Sequence, residues 1–152
     1  MNLISENFTV GKYISIIFRY GQNYMNRKLE PYHIGRGQNM ILFTLFKNGG
    51  IRQEDLACYL KIDKGSIAKS LKKLEDEGYI ERRIDDEDKR AYKVYLTQKG
   101  IDIMPVLEEA ARQWEDGLTA DLSEEEKQKM KHLLNKMAMK AFELNQPIGK
   151  ME

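Results

Sequence analysis

The chain has 152 residues, of which 41% are hydrophobic and three are proline, a composition that predicts one folded, helix-rich domain and excludes a disordered chain. Its 25 basic and 24 acidic residues give a net charge of +1, so overall charge provides no argument for nucleic-acid binding. One cysteine excludes an internal disulfide. Because no apolar run near the N-terminus is long enough for a signal peptide or a membrane span, we expect a cytoplasmic protein with no membrane partner.

The first predicted element is a long helix from about Val10 to Leu29. Its apolar residues are spread over more than one narrow stripe. One core cannot cover so wide an apolar surface, so we expect part of it to contact a second copy of the chain. Pro31 should end the helix, because proline disfavours helical geometry at the preceding Glu30.

Two shorter helices are predicted next. One ends at about Lys47, before two glycines, and the other covers residues 53–61. The residues expected to pack inside are Met40, Ile41, Leu42, Leu45 and Phe46 in the first helix, and Leu56, Ala57 and Leu60 in the second. Cys58 lies on the second helix, where a small buried thiol is favoured over a redox sensor.

A basic amphipathic helix is predicted over residues 64–77. Asp63 is placed to cap its N-terminus, and Gly78 can adopt the left-handed conformation that ends it. At about 100° per residue, one face of this helix is apolar and the opposite face is polar and basic. The apolar face has Ile67, Leu71 and Leu74, and the opposite face has Gly65, Ser66, Lys69, Lys72 and Lys73. With the preceding short helix it forms a helix-turn-helix pattern, although a solvated helix face is also consistent with these charges.

Two β-type runs follow, over residues 79–84 and Tyr92–Leu96, and they should pair as a hairpin. The connecting residues 85–91 form a loop that is longer than a hairpin needs and contains neither Gly nor Pro. Lys89 and Arg90 stand beside four acids, which would repel phosphate unless Asp88 is occupied in holding Arg90. An arginine held in this way suits a narrow DNA minor groove.

The C-terminal part is predicted to contain two more helices. Thr97 can cap the first, which continues to about Leu118 and should bend rather than break at Pro105. The last helix begins with a capping box formed by Ser123 and Glu126. Its apolar seam over residues 130–144 is expected to form a dimerisation module with the first helix, whereas residues 145–152 should fray.

The hairpin resembles the wing signature of the MarR family, and the resemblance extends over nearly the whole chain. The residues that carry it are Gly78, Ile80, Glu81, Arg82, Arg83, Asp85, Asp88, Lys89, Arg90, Leu96, Thr97 and Gly100. The resemblance implies a mainly α fold with a small β-hairpin wing, an α+β winged helix-turn-helix with N- and C-terminal dimerisation helices. In that division, residues 1–34 and 119–152 are dimerisation helices, 35–97 are the winged DNA-binding region, and 98–118 are the connecting helix.

The same resemblance implies a sequence-specific regulator of transcription that binds a pseudo-palindromic double-stranded DNA operator as a homodimer. In the family, the helix before the wing enters the major groove and the wing arginine enters the minor groove. Lys69 then matches a base-reading position, Lys73 a phosphate-reading position and Arg90 the minor-groove residue. The DNA-contacting residues predicted in this way are Lys64, Ser66, Lys69, Ser70, Lys72, Lys73, Arg82, Asp88, Lys89 and Arg90.

Many family members bind an aromatic, often anionic effector where the dimerisation helices meet the winged region. This resemblance implies a repressor that is relieved by a small aromatic or amphipathic ligand. The residues predicted to line such a crevice are Tyr13, Ile17, His33, Arg36, Met40 and Phe43, with His33 or Arg36 as the polar anchor. The four apolar members are equally consistent with simple core packing.

No catalytic, cofactor or metal site is predicted. The chain has two histidines and one cysteine, lacks a Gly-rich phosphate loop, and shows no nucleophile beside a recognisable base. The alternative function is a winged-helix module whose lysine face binds an acidic protein without binding DNA. Arg90 discriminates between the two functions, because protein docking has no evident use for a lone arginine on a long loop.

Overall fold

The computed structural model describes residues 7–145, which are mainly helical with one small antiparallel sheet. The helices are α1 (Val10–Leu29), α2 (Gln38–Asn48), α3 (Gln53–Leu60), α4 (Lys64–Asp76), α5 (Gln98–Asp102), α6 (Met104–Leu118) and α7 (Glu124–Leu144). The strands are β1 (Ile51–Arg52), β2 (Ile80–Ile84) and β3 (Tyr92–Leu96), and a 3-10 turn, Glu30–Tyr32, follows α1. These elements confirm the predicted mainly α fold with a hairpin wing.

The sheet contains one strand more than the predicted hairpin. β2 pairs with β3 along its whole length, with Arg82 opposite Val94. β1 pairs with the other edge of β3, with Arg52 opposite Lys93, and the strand order is therefore β1-β3-β2. The sequence pattern did not predict β1, because two residues are too few to show alternation. The extra strand connects the start of α3 to the wing.

The chain divides into two compact units at the junction between Trp114 and Glu115, within α6. The core of the first unit takes side chains from the helices and from the sheet. It includes Leu29 of α1, Leu42 of α2, Leu56 of α3, Leu71 of α4 and Val94 of β3, each at most 1% exposed. The winged part is therefore built on one continuous apolar cluster, to which α1 also contributes.

The second unit contains the end of α6 and all of α7. The Ser123 hydroxyl accepts a hydrogen bond from the Glu126 amide at 3.2 Å, and the Glu126 carboxylate accepts one from the Ser123 amide at 2.8 Å, which confirms the predicted capping box. No residue of α7 is buried. Its exposed apolar residues include Leu133, Leu134, Met137 and Phe142. Apart from Asn145, the predicted fraying of residues 145–152 lies outside the described residues.

The predicted single bent helix around Pro105 is wrong, because α5 ends at Asp102 and α6 begins at Met104. Ile103, between them, keeps helical backbone angles, with φ −79° and ψ −16°. Pro105 has no amide to donate to the carbonyl of Ile101, so the hydrogen-bond ladder is interrupted at this point. The backbone angles of Ile103 thus remain helical, but the helix is divided into two, α5 and α6.

Two side chains that were expected to pack inside are exposed. Cys58 is exposed because it follows the buried Leu56 by two residues, roughly 200° around a helix with 3.6 residues per turn. Phe46 is 48% exposed in the last turn of α2, where Leu42 and Leu45 already occupy the core side. The expectation of a buried Cys58 thiol is therefore wrong.

Among residues 7–145, no helix combines the length and apolarity needed to cross a membrane. No group of three or more His, Cys, Asp or Glu side chains in this range is arranged to hold a metal ion.

Candidate nucleic-acid interface

α4 is fixed in place by its apolar face and by its N-terminal cap. Ile67, Leu71 and Leu74 are 0% exposed, as predicted. The amide of Ser66 donates to Asp63 Oδ1 at 2.8 Å, which confirms the predicted cap, and hydrogen bonding from Ser66 lowers the pKa of Asp63. The opposite side of the helix faces solvent, so its polar side chains are available to a partner.

The lysines on that solvent-facing side differ in their present contacts. Two of them are ion-paired across 3.1 Å, Lys64 with Glu54 and Lys72 with Asp76. Within the described chain, the side-chain amines of Lys69 and Lys73 form neither a hydrogen bond nor an ion pair. Exposed ion pairs contribute little stability, so Lys64 and Lys72 can exchange their acids for phosphates with little loss of free energy. All four lysines are therefore available to phosphates. Of the predicted serines, Ser66 is exposed and Ser70 is half-buried.

The wing loop, residues 85–91, is shaped by its own backbone. The amide of Asp85 donates to the carbonyl of Ala91, and the amide of Ala91 donates to the carbonyl of Asp88, both at 2.9 Å. The carboxylate of Asp88 accepts from the backbone amide of Arg90 at 3.0 Å, a side-chain turn that aspartate commonly forms two residues ahead. Asp88 therefore organises the backbone that carries Arg90.

Asp88 holds Arg90, as predicted, and it does so through the backbone amide of Arg90 rather than through the guanidinium. Among residues 7–145, the Arg90 guanidinium has no hydrogen-bond or ion-pair partner. The side chain is exposed and remains available to an external acceptor.

The buried acid of the loop is Asp85, which is 0% exposed and is neutralised by two cations. One of its oxygens lies 2.6 Å from Arg52 Nη2 and the other lies 3.2 Å from Lys93 Nζ. Its carboxylate also accepts from the Glu87 amide at 3.0 Å. The Glu87 amide, together with Arg52 and Lys93, lowers the pKa of Asp85 to about 2, so this carboxylate is ionised at neutral pH.

This cluster was missed by the sequence analysis. Arg52 and Asp85 are 33 residues apart in the chain, and only the pairing of β1 with β3 brings them together. A weak signal was present, because each of the three charged residues stands directly beside an apolar strand residue. These neighbouring pairs are Ile51-Arg52, Ile84-Asp85 and Lys93-Val94.

The remaining predicted wing contacts are partly occupied. Arg82 Nε lies 3.3 Å from Glu75 Oε2 and so links β2 to α4. Lys89 Nζ lies 3.4 Å from the exposed carboxylate of Asp86. Three wing cations were predicted to contact DNA, and within residues 7–145 Arg90 is the one whose side chain has no intramolecular partner.

A cavity of about 490 Å³ brings together His33 and Arg36, two of the predicted ligand residues. Arg27 and Lys73 add two further cations to its lining, and the acids in it are Glu30 and Glu77. The other four predicted ligand residues do not line this cavity. Tyr13 is half-buried, Ile17 is 43% exposed, Met40 accepts from Gln22 Nε2 at 3.7 Å, and Phe43 packs against the core.

An aromatic cleft of about 610 Å³ shares two lining residues, Asn26 and Arg27, with that basic cavity. Tyr20, Tyr24 and Trp114 supply its aromatic side chains, and none of them was predicted. The rings of Tyr24 and Trp114 are tilted by 39° with centroids 5.4 Å apart. Tyr24 and Trp114 are ninety positions apart in the chain, so local sequence patterns could not predict their contact.

Comparisons with known proteins agree with this geometry. The MarR family pattern matches residues 34–92. The uncharacterized HTH-type transcriptional regulator YybA of Bacillus subtilis is 30% identical over 124 residues, which cover 82% of this chain and 83% of that protein. The HTH-type transcriptional regulator BilQ of Clostridium symbiosum is 32% identical over 126 residues, which cover 82% of this chain and 88% of that protein.

A solved structure, that of a MarR transcriptional regulator from Methanosarcina mazei Go1, is 40% identical with a TM-score of 0.85 and covers 89% of this chain and 97% of its own. These relatives are named as transcriptional regulators rather than enzymes, and they favour DNA binding over the protein-docking alternative. The chain belongs to the MarR family and is a DNA-binding, winged helix-turn-helix regulator of transcription.

Proposed function

We propose that α4 enters the major groove of a specific operator while the wing loop places Arg90 in the adjacent minor groove. The supporting observation is that the amines of Lys69 and Lys73 have no hydrogen-bond or ion-pair partner among residues 7–145, while the opposite face of α4 is fully buried. A helix of this kind fits the major groove, and its buried face fixes the backbone that carries the lysines. Arg90, whose guanidinium is exposed and has no partner in the part of the chain that the structure describes, extends the same surface.

The basic residues of this surface have different chemical tasks. Lys69, with its neighbours Ser66 and Ser70, is assigned to base edges. Lys64, Lys72, Lys73 and Lys89 are assigned to phosphates, where a lysine acts as a mobile point charge. Arg82 has to leave Glu75 to reach a phosphate, and Asp88 acts through the backbone of Arg90 rather than on DNA.

We also propose that the chain acts as a homodimer. α1 exposes Val10, Ile14, Ile17 and Phe18, each more than 40% exposed, and α7 carries the apolar residues given above. A second copy would cover these surfaces, with residues 1–34 and 119–152 as the dimerisation segments and 98–118 as the connection to residues 35–97. The operator would then be pseudo-palindromic, with half-sites spaced by roughly 10 bp so that two helices reach successive major grooves.

The test of DNA recognition is a binding assay with the duplex upstream of the protein's own coding region, followed by footprinting. We expect a saturable, salt-sensitive complex and protection of two symmetric half-sites about one helical turn apart. A duplex of the same composition with scrambled sequence is the control. Equal affinity for both duplexes, or protection of one asymmetric half-site, contradicts the proposal.

The test of the dimer is sedimentation at micromolar concentration, where the mass should be near twice 17.8 kDa. Leu134 is 43% exposed in α7, and Leu134→Glu should shift the population toward the monomer because it places a charge in the proposed interface. Lys136→Glu, a charge change on the same helix, is the control. A wild-type monomer at that concentration overturns the proposal.

We propose further that the protein is a repressor relieved by a small aromatic acid. The basic cavity would hold the carboxylate near Arg36 and His33, and the aromatic cleft would receive the ring, since Arg27 lines both. Lys73 lines the cavity and belongs to α4, so an anion bound there would compete with DNA for the same lysine.

A regulator of chromosomal DNA in bacteria, where YybA and BilQ occur, would act in the cytoplasm.

Calorimetry with phenolic acids, with and without operator DNA, tests this ligand. Ligand affinity should fall when DNA is present, by the same factor by which ligand weakens DNA binding. Arg36→Ala should remove binding, while Arg112→Ala, a loss of the same charge outside both cavities, should not. Ligand binding that leaves operator affinity unchanged would contradict the repressor mechanism.

A further inference from the structure

Arg52, Asp85 and Lys93, which we call the wing clamp, join all three strands of the sheet through one carboxylate. Arg52 belongs to β1, Lys93 belongs to β3, and Asp85 directly follows β2 at the point where the wing loop begins. The carboxylate is 0% exposed, whereas the side chains of Arg52 and Lys93 are 36% and 29% exposed. An ionised group buried in this way depends on its partners, because removing one leaves the others uncompensated.

Asp85 is also the start of a short series of contacts that ends at Arg90. Its carboxylate accepts from the Glu87 amide at 3.0 Å, and its amide donates to the Ala91 carbonyl at 2.9 Å. Ala91 in turn donates to the Asp88 carbonyl, and Asp88 accepts from the Arg90 amide. These hydrogen bonds therefore connect Asp85 to Arg90 through Ala91 and Asp88.

The loop has little else to hold it. Residues 86–90 are all exposed, and the loop contains no Gly or Pro that would restrict it to one turn type. A freely moving loop would have to be ordered when its arginine enters a groove, and this ordering would weaken binding. Because the clamp anchors the loop before DNA arrives, less ordering is needed when Arg90 enters a groove.

The clamp also changes the charge that DNA meets. Residues 85–88 are four consecutive acids beside Arg90. Two cations against one buried carboxylate leave the clamp with a net positive charge, so the first of these acids does not repel phosphate. Both effects, order and charge, act on the same side chain, Arg90.

We propose that Asp85, held by Arg52 and Lys93, is a positioning residue for DNA recognition and sets how strongly Arg90 discriminates the sequence flanking the half-site. This inference rests on the proposed insertion of Arg90 into the minor groove. Asp85 does not touch DNA in this arrangement; it acts through the wing loop.

The experiment compares two duplexes with the same half-sites and either A·T-rich or G·C-rich flanks, bound by the full-length dimer. The readout is the ratio of the two affinities. Asp85→Asn keeps the shape of the side chain but removes its charge, and the ratio should fall to that of Arg90→Gln. The affinity for the A·T-flanked duplex should fall roughly tenfold, the size of one lost specific contact. The matched control is Asp86→Asn, the same change at an exposed neighbour, which should preserve the wild-type ratio.

A purely structural role predicts a different pattern. If Asp85 works through Arg90, the double variant Asp85→Asn/Arg90→Gln should have the same ratio and affinity as Arg90→Gln alone. If Asp85 only supports the fold, the two losses add and the flank ratio of Asp85→Asn stays at the wild-type value, which overturns the inference. Should Asp85→Asn fail to fold, Arg52→Gln provides a milder test, because it weakens the clamp by removing one of its two cations while Lys93 and the Glu87 amide still compensate the buried carboxylate.

The two proposals fail in distinguishable ways. If Arg90→Gln itself leaves the flank ratio unchanged, the minor-groove role of Arg90 is wrong, and the positioning role of Asp85 is overturned with it. If Arg90→Gln lowers the ratio and both Asp85→Asn and Arg52→Gln leave it intact, the clamp inference alone is overturned.

Discussion

α4 and the wing loop both present cations to the same proposed partner, but they are held in different ways. The α4 lysines stand on a helix that is fixed by its own cap and by Ile67, Leu71 and Leu74, all within the helix or one residue before it. The wing arginine stands on a loop whose anchor pairs residues 33 positions apart in the chain. The helix is therefore insensitive to distant surface changes, whereas the wing depends on a charge pair that is remote in sequence.

The difference extends to what each region presents. A lysine on a rigid helix can sweep a wide area with its flexible side chain, so small displacements of the backbone matter little. A planar guanidinium in a narrow groove requires a defined approach, so the backbone of the loop matters more. The wing loop thus has the stricter geometric requirement, but it is held by residues that are more distant in the sequence than those that hold α4. The following four predictions test this contrast, beginning with the largest expected effect.

Leu71→Ala should destabilise the protein by about 2–5 kcal/mol, because it opens a cavity beneath α4 where the side chain is 0% exposed. Denaturant unfolding at a fixed protein concentration measures this loss. The control Lys72→Ala on the exposed face should change stability by less than about 0.5 kcal/mol. Similar values for the two variants would show that α4 is not held by its apolar face.

Lys69→Ala should weaken binding to the specific operator by about 1–3 kcal/mol and weaken binding to random DNA less, if this lysine meets a base edge. Lys73→Ala should weaken all sequences alike and reduce the salt slope by about 0.9, the value for one phosphate. Titrations on specific and scrambled duplexes at two salt concentrations separate the two roles. Lys131→Ala, outside α4 and the wing, controls for net charge, and a uniform effect of all three variants would contradict the assignment.

Arg90→Lys should have a smaller total effect that is confined to flanking sequence. The charge is kept, so the salt slope should remain that of the wild type. The planar, weakly hydrated guanidinium is lost, so most of the preference for A·T-rich flanks should disappear. Titration of the variant against the duplexes with A·T-rich and G·C-rich flanks measures this loss of preference. Equal affinities of variant and wild type on every duplex would show that the wing stays outside the groove.

The smallest effect concerns acid stability and involves Asp85. Its pKa in the folded protein is about 2, below the ordinary value of 3.8, so the folded state favours the ionised form. The contribution of Asp85 to stability is complete above about pH 3.8 and is lost as the pH falls from there through about 2. Asp85→Asn should therefore make melting temperature less dependent on pH in this window.

Melting curves at closely spaced pH values provide the measurement. Asp86→Asn should retain the wild-type dependence, because Asp86 is exposed and pairs only with Lys89 in the described chain. Parallel curves for wild type and Asp85→Asn between about pH 4 and pH 2 would show that the buried carboxylate contributes nothing to acid stability.

Much of the fold follows from local pattern. The limits of α1, the caps of α4 and α7, the buried face of α4 and the span of β3 agree with the sequence analysis. Each of these features is decided within a few residues, by helical periodicity, by strand alternation or by a side chain that reaches a nearby amide. Gly78 likewise has the expected left-handed conformation, with φ 75°.

The tertiary structure alone decided the features that depend on which distant segments meet. β1 exists because β3 offers it an edge, and Asp85 is buried and ionised because that pairing brings Arg52 to it. Hydrophobic periodicity places residues on faces but says nothing about which charged residues will face each other across paired strands. In this protein, therefore, the sequence determined which side chains α4 presents to solvent, and the packing of three strands determined how the wing is held.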